Sequence, residues 1–207
     1  MNGYYFITES ALSRAGVMSD TANALKAGTN VVQYRRKTGS SAALYAEALA
    51  LKALCRHALF IVNDHIDIAL AVDADGVHIG SDDLPLPVVR GLLKPGKVIG
   101  ATVRNWEEAA RAVDEGADYL GVGPIFATMT KQDAGRPVGL DLLQKIKRAY
   151  SLPLVAIGGI TLANAREVIA AGADMICALS AVVGAPDVAQ AVRDFQGLFA
   201  ANEEITG

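Results

Sequence analysis

The chain has 207 residues, 52% hydrophobic and 20% charged, with a formal net charge of -3 and a pI near 5.6. Those values suit a globular protein with one sizeable core and argue against a general nucleic-acid-binding surface. Cys55 and Cys177, the only cysteines, lie far apart and match no metal or redox spacing, so a reducing cytoplasm is the expected setting. The start, MNGYYFITES, has no basic n-region or long apolar run, so no secretory leader is expected. The most apolar long window, 41–62, carries Glu47, Lys52, Arg56 and His57, which excludes it as a membrane span.

Taken in chain order, short apolar runs predict strands at 5–7, 31–35, 59–63, 76–79, 98–102, 119–122, 154–157 and 175–178. The segments between them carry apolar residues at three- and four-residue spacing, most clearly at 42–54, 106–115, 140–149, 164–171 and 188–199, and predict helices. A strand–helix unit recurring about eight times in so short a chain favours a closed (β/α)8 barrel over an open doubly wound sheet. No linker, low-complexity run or charge block interrupts it, so residues 1–207 are expected to form a single domain.

A weak repeat supports this. KAGTNVV (26–32), VDADGVH (72–78), DEGADYL (114–120) and AAGADMI (170–176) each read as a helix end, a turn residue able to take positive φ, and an apolar strand. Asp75, Asp118 and Asp174 therefore read as parts of a helix-to-strand turn at the bottom of the barrel. A catalytic acid would not recur in unit after unit.

Chemistry in such a barrel belongs on the loops that follow the strands. The second strand runs into NVVQYRRK (30–37), and side chains alternate faces along a strand. If Val31 points inward, so do Gln33, Arg35 and Lys37, whereas Tyr34 and Arg36 face outward. Two cations at a barrel mouth call for an anion; a solvated rim cluster suits Arg36 but not Arg35. The third and fourth strands run into IVNDHID and GVHIGSDD, which bring Asn63, Asp64, His78 and Asp83 to the same rim. Hard carboxylate oxygens beside cations suggest Mg2+ held with a phosphorylated substrate. The alternatives are helix capping, by Asp64 before 66–71 and by Asp83 before LPLPVV. His78 reads as an inward, satisfied imidazole.

The fifth strand ends in IGATVR, with Thr102. The sixth opens a long aperiodic loop, 126–139, that carries Thr128, Met129, Thr130 and Lys131 and is expected to act as a mobile lid. IGGI and ALSA follow the seventh and eighth strands, where glycine lets backbone N–H groups approach a phosphate. Two anion sites imply two phosphorylated molecules joined with loss of one anion, or one bisphosphate. There is no Ser-His-Asp set, zinc spacing or nucleotide P-loop in the sequence.

These stretches together resemble the thiamine-phosphate synthase family over nearly the whole chain. QYRRK fits a Q-x-R-x-K motif, VNDHIDIALAVDADGVHIGSDD fits N-D…G-V-H-x-G-x-x-D, and GADYLGVGPIFATMTKQDA, AIGGI and ALSA complete the match. The resemblance implies a (β/α)8 (TIM) barrel transferase. It would condense 4-amino-2-methyl-5-(diphosphooxymethyl)pyrimidine with 4-methyl-5-(2-phosphooxyethyl)thiazole, or its carboxylated form, to thiamine phosphate and pyrophosphate. The implied mechanism is dissociative and carbocation-like.

Residue by residue, the resemblance assigns Gln33, Arg35, Lys37, Asn63, Thr102 and Lys131 to the pyrimidine diphosphate, with Arg35, Lys37, Thr102 and Lys131 acting in catalysis. It assigns Thr128, Met129, Thr130, Gly159, Leu179 and Ser180 to the thiazole phosphate, and Asp64 and Asp83 to Mg2+. It implies two phosphorylated small molecules as partners, with no nucleic acid and no membrane, and leaves a homo-oligomer open. Ser81 stands where Gln is frequent and Thr102 where Ser is usual; neither change removes a charge. The competing readings are a thiazole tautomerase, which needs no diphosphate site, and a catalytically silent phosphate-binding barrel.

Overall fold

Each apolar run expected to be a strand forms one, and each strand pairs with its chain neighbours. The computed structural model describes residues 1–128, 130 and 135–206. In chain order the elements are β1 (Gly3–Ile7), α1 (Val17–Lys26), β2 (Val31–Tyr34), α2 (Ser41–Leu54), β3 (Leu59–Asn63), α3 (Ile66–Ala71), β4 (Gly76–Ile79), α4 (Leu86–Leu92) and β5 (Val98–Val103). They continue with α5 (Trp106–Asp114), β6 (Tyr119–Val122), α6 (Gly139–Ala149), β7 (Leu154–Ile157), α7 (Ala165–Ala170), β8 (Met175–Cys177), α8 (Leu179–Val183) and α9 (Val188–Thr206). All neighbouring strands are parallel and the sheet closes, with β1 beside β8. This is the (β/α)8 barrel. No helix among the described residues is long and apolar enough to cross a membrane.

Four strand bounds differ from the sequence expectation by one or two residues: β1 starts earlier, at Gly3, β5 runs on to Val103, and β2 and β8 each stop one residue short. β2 stops at Tyr34 because the Arg35 N–H donates to the Thr8 side chain at 2.9 Å instead of continuing the ladder. β8 stops at Cys177, where α8 begins within two residues.

Face alternation divides the apolar residues into two cores. Tyr5, Ile7, Val31, Ile61, Tyr119, Val155, Met175 and Cys177 fill the inside of the barrel. A larger set, including Phe6, Val32, Phe60, Val62, Leu120 and Ile176, packs between the strands and the helices. Two inward glycines make space for large rings. A Cβ at Gly100 would lie 2.0 Å from the Tyr119 ring, and one at Gly121 would lie 2.9 Å from the His78 ring.

The repeated turns lie at the opposite end from the loops that follow the strands. Gly28, Asp73, Gly116 and Gly172 take positive φ of 94°, 50°, 87° and 106°. The three recurring aspartates share one structural task. Asp75 accepts the Phe60 N–H and pairs with Lys52; Asp118 accepts the Ile99 N–H and pairs with Arg90; Asp174 accepts the Leu154 N–H and pairs with Lys147. Each carboxylate satisfies an amide in the first two residues of a neighbouring strand and ties it to a helix. Asp174→Ala should therefore destabilise the fold by about 1–3 kcal/mol in urea unfolding while leaving kcat within about twofold of wild type. A large loss of kcat with unchanged stability would make this residue functional instead.

Candidate active site

On β2 the sequence parity holds. Gln33 and Arg35 line the barrel mouth with Val31 below them, whereas Tyr34 and Arg36 turn outward and both contact Glu47, at 2.9 and 3.0 Å. Lys37 lies past the strand end, exposed on the rim and outside the cavity lining. Arg35 is held by Glu9, 2.5 Å from its Nη1, with both side chains largely covered (16% and 19% exposed). Glu9 was not singled out in the sequence. It continues the inward parity of Tyr5 and Ile7, which is the signal that points to it. Arg104 also lines the mouth, and it follows Thr102 at the same parity.

On the next two strands, Asn63 lines the cavity and Asp64 turns the chain away from β3 with φ of 60°. A non-glycine residue in that region is uncommon, and such residues collect at functional sites. The Asp64 N–H donates to the His78 carbonyl at 3.0 Å, which joins the two strand ends. Neither carboxylate is committed to a helix. α3 is capped by His65 without a side-chain bond, and α4 starts after Pro85, also without one. Asp83 instead accepts the Gly80 N–H at 2.7 Å. The two carboxyl groups are close enough to act on each other. Partial burial and the Asp83 charge push the Asp64 carboxyl up to about 6, with Arg35 and His65 opposing. Among the described residues, no third His, Cys, Asp or Glu joins this pair as a potential metal ligand.

Across the mouth, the loop after β6 lies on the IGGI turn. The Ile125 and Phe126 N–H groups donate to the Ile157 and Gly158 carbonyls at 2.8 and 3.0 Å. Gly158 and Gly159 have φ of 98° and 65°; a Cβ on the first would lie 2.5 Å from Pro124 and on the second 2.5 Å from the Ala127 carbonyl oxygen. Only glycine suits both the dihedrals and the contact. Asn164, also missed in the sequence, pins this turn by donating to the Gly159 carbonyl at 3.0 Å and accepting the Thr161 N–H at 2.8 Å.

Gln33, Arg35, Asn63, Thr102, Thr128, Thr130, Gly159, Leu179 and Ser180 thus share one cavity of about 150 Å3. A void of that size accommodates a benzene-sized ring. Asp64 and Asp83 are not part of its lining, and Met129 and Lys131 lie outside the described residues. Cys177 borders the cavity, but burial pushes its thiol up to about 12, so it remains a neutral thiol near pH 7. His78 is satisfied through both ring nitrogens, by Tyr119 at 2.9 Å and Thr102 at 2.8 Å.

A closed barrel with arginines and a glycine turn facing one cavity, and a carboxylate pair nearby, defines a (β/α)8 enzyme that handles anionic small molecules. The profile of the thiamine monophosphate synthase family matches residues 4–182, and the chain belongs to that family. It is 46% identical over 193 residues to the thiamine-phosphate synthase of Methanosarcina mazei, covering 93% of this chain and 80% of that one. It is 49% identical over 203 residues to the thiamine-phosphate synthase of Chloroflexus aurantiacus, covering 97% and 94%. A solved thiamine phosphate pyrophosphorylase from Pyrococcus furiosus superposes with a TM-score of 0.89 at 41% identity, covering 99% of this chain and 97% of that one. The chain is thus a transferase of thiamine biosynthesis. Likeness to a solved Thermoplasma volcanium GGGPS, at 17% identity and a TM-score of 0.68, reflects the shared barrel alone.

Proposed function

We propose that this enzyme joins 4-amino-2-methyl-5-(diphosphooxymethyl)pyrimidine to 4-methyl-5-(2-phosphooxyethyl)thiazole, or its carboxylated form, releasing pyrophosphate. The observation that carries the reading is the division of the cavity. Of the residues that line it, Arg35, Asn63 and Thr102 lie at the ends of β2, β3 and β5, while Thr128, Thr130, Gly159 and Ser180 follow β6, β7 and β8 on the other arc of the barrel. The first set suits the diphosphate, with Lys37 and Lys131 completing its charge; the second suits the thiazole phosphate.

Asp64 and Asp83 would hold Mg2+. Hard oxygen donors fit that ion, which binds through one or two carboxylates and takes its remaining ligands from substrate phosphates and water. Burial and the like charge of Asp83 raise the Asp64 pKa, and a divalent cation bound between the two carboxylates would offset both costs. Bound there, Mg2+ would supply positive charge opposite the diphosphate.

The chain's own residues act by positioning and electrostatics. The methylene C–O bond breaks with its electron pair leaving on pyrophosphate, and the ring amino group stabilises the resulting cation. The thiazole nitrogen then forms the C–N bond. No protein nucleophile takes part, and the neutral Cys177 thiol offers none. Arg35, Lys37 and Lys131 gain most as charge accumulates on the leaving group, which makes their stabilisation larger in the transition state than in the substrate complex. Free, buried cysteines support a reducing, cytoplasmic setting. A thiazole tautomerase would give the Arg35, Asp64 and Asp83 set no task.

The test is product formation. Supplied with both substrates and Mg2+, the protein should yield thiamine phosphate, and omitting either substrate should abolish it. Isomerisation of a thiazole phosphate alone, or binding without turnover, would overturn the reading in favour of one of the alternatives.

A further inference from the structure

Inside the barrel, along the wall of the cavity, polar side chains form a line from strand to strand. Gln33 Nε2 donates to Tyr5 Oη at 3.0 Å, the Tyr5 and Tyr119 hydroxyls are 2.7 Å apart, Tyr119 Oη is 2.9 Å from His78 Nδ1, and His78 Nε2 is 2.8 Å from Thr102 Oγ1. Tyr5 and Tyr119 are 1% and 0% exposed, and burial raises both phenols above their usual range, so each keeps its single hydrogen.

One hydrogen per hydroxyl gives the line a direction. Among the described residues, Tyr119 Oη is the acceptor within reach of the Tyr5 hydrogen, and a buried O–H left unpaired is costly. Tyr5, an acceptor from Gln33, therefore donates to Tyr119. Tyr119 then donates to His78 Nδ1. His78 must carry its proton on Nε2 and donate to Thr102. The Thr102 hydroxyl, already accepting, has its own hydrogen left for the cavity that it lines. The inward glycines Gly100 and Gly121 keep this arrangement in place, since a Cβ at either would strike a ring of the line.

We propose that Tyr5, Tyr119 and His78 are positioning residues that commit the Thr102 hydroxyl to donate a hydrogen bond to the substrate. In the reversed tautomer the same hydroxyl would spend its hydrogen on His78 and face the diphosphate with lone pairs alone, which would repel an anion. The inference rests on the proposed reading in that the acceptor is an oxygen of the departing diphosphate.

Two measurements test it. The first is independent of activity: the 15N shifts of the His78 ring, assigned among the three histidines with His78→Gln. The Nε2-protonated tautomer is expected in the wild-type protein, and that preference should be lost in Tyr119→Phe. The second is a kinetic cycle. Tyr119→Phe should lower kcat about tenfold, as for one lost hydrogen bond, with KM for the thiazole phosphate within about twofold. In a Thr102→Val background it should cost nothing further, because Tyr119 acts through Thr102. Tyr5→Phe should behave in the same way. An Nδ1-protonated His78 in the wild type, or additive losses in the double variant, would overturn the proposal. If the wild-type protein makes no thiamine phosphate, the functional reading fails, while the tautomer still decides the direction of the line.

Discussion

Replacing Arg35 with alanine is expected to lower kcat by about 100-fold or more, the loss seen when one preorganised charge-stabilising donor is removed. Arg36→Ala, one residue further along, should change kcat less than about threefold. The two side chains are chemically identical and differ only in the face that they occupy. Arg35 enters the cavity, whereas Arg36 pairs outside the barrel with Glu47, on side chains that are 32% and 26% exposed. A partly exposed pair of that kind contributes at most about 1 kcal/mol, and to stability, not to chemistry. Loss of Arg35 also leaves Glu9 without its 2.5 Å partner, so an uncompensated carboxylate then stands near the expected diphosphate. Arg35→Lys should recover only part of the activity, because an ammonium cannot present the two-pronged donor that a diphosphate takes. Steady-state kinetics on the three variants checks this; equal losses for Arg35→Ala and Arg36→Ala would show that the parity of β2 does not divide function from support.

Asp64→Asn and Asp83→Asn should each lower kcat by about 100-fold at ordinary Mg2+, with partial recovery as Mg2+ is raised. Asparagine is the informative substitution at position 64. The φ there is 60°, a conformation that Asn tolerates and that Ala would strain. The same change removes a carboxyl whose pKa is raised by burial and by Asp83, so metal-free thermal stability should stay the same or increase while activity falls. That opposition separates a ligand from a structural residue. If both stability and activity fell and Mg2+ restored neither, the pair would be structural.

The barrel was legible in the sequence because strand and helix periods alternate without interruption. The parity of Gln33 and Arg35 followed from counting by two from Val31, and the recurrence of Asp75, Asp118 and Asp174 correctly marked them as supports for neighbouring strands. The same count applied to the first and fifth strands reaches Glu9 and Arg104, which the motifs did not highlight. Other features were out of reach for physical reasons. Tyr5 and Tyr119 lie 114 residues apart and meet only when the barrel closes. The positive φ of Asp64 sits in a tight turn, closed by the His65 N–H on the Asn63 carbonyl at 2.7 Å, and the Asp64 N–H also bonds the His78 carbonyl on the adjacent strand, a partner the local sequence does not reveal. Asn164 reads locally as the first residue of the helix expected over 164–171, yet it lies just before α7 and its amide reaches back to the Gly159 carbonyl. The lid expected over 126–139 depends chiefly on Lys131, which lies outside the described residues, so its part stays with the functional proposal.

The most direct measurement is a single-turnover experiment that counts pyrophosphate released against thiamine phosphate formed, with Mg2+ and with excess chelator. The expected result is one pyrophosphate per thiamine phosphate, with a rate that collapses in chelator. Pyrophosphate without coupled product, or coupled product at full rate in chelator, would contradict it.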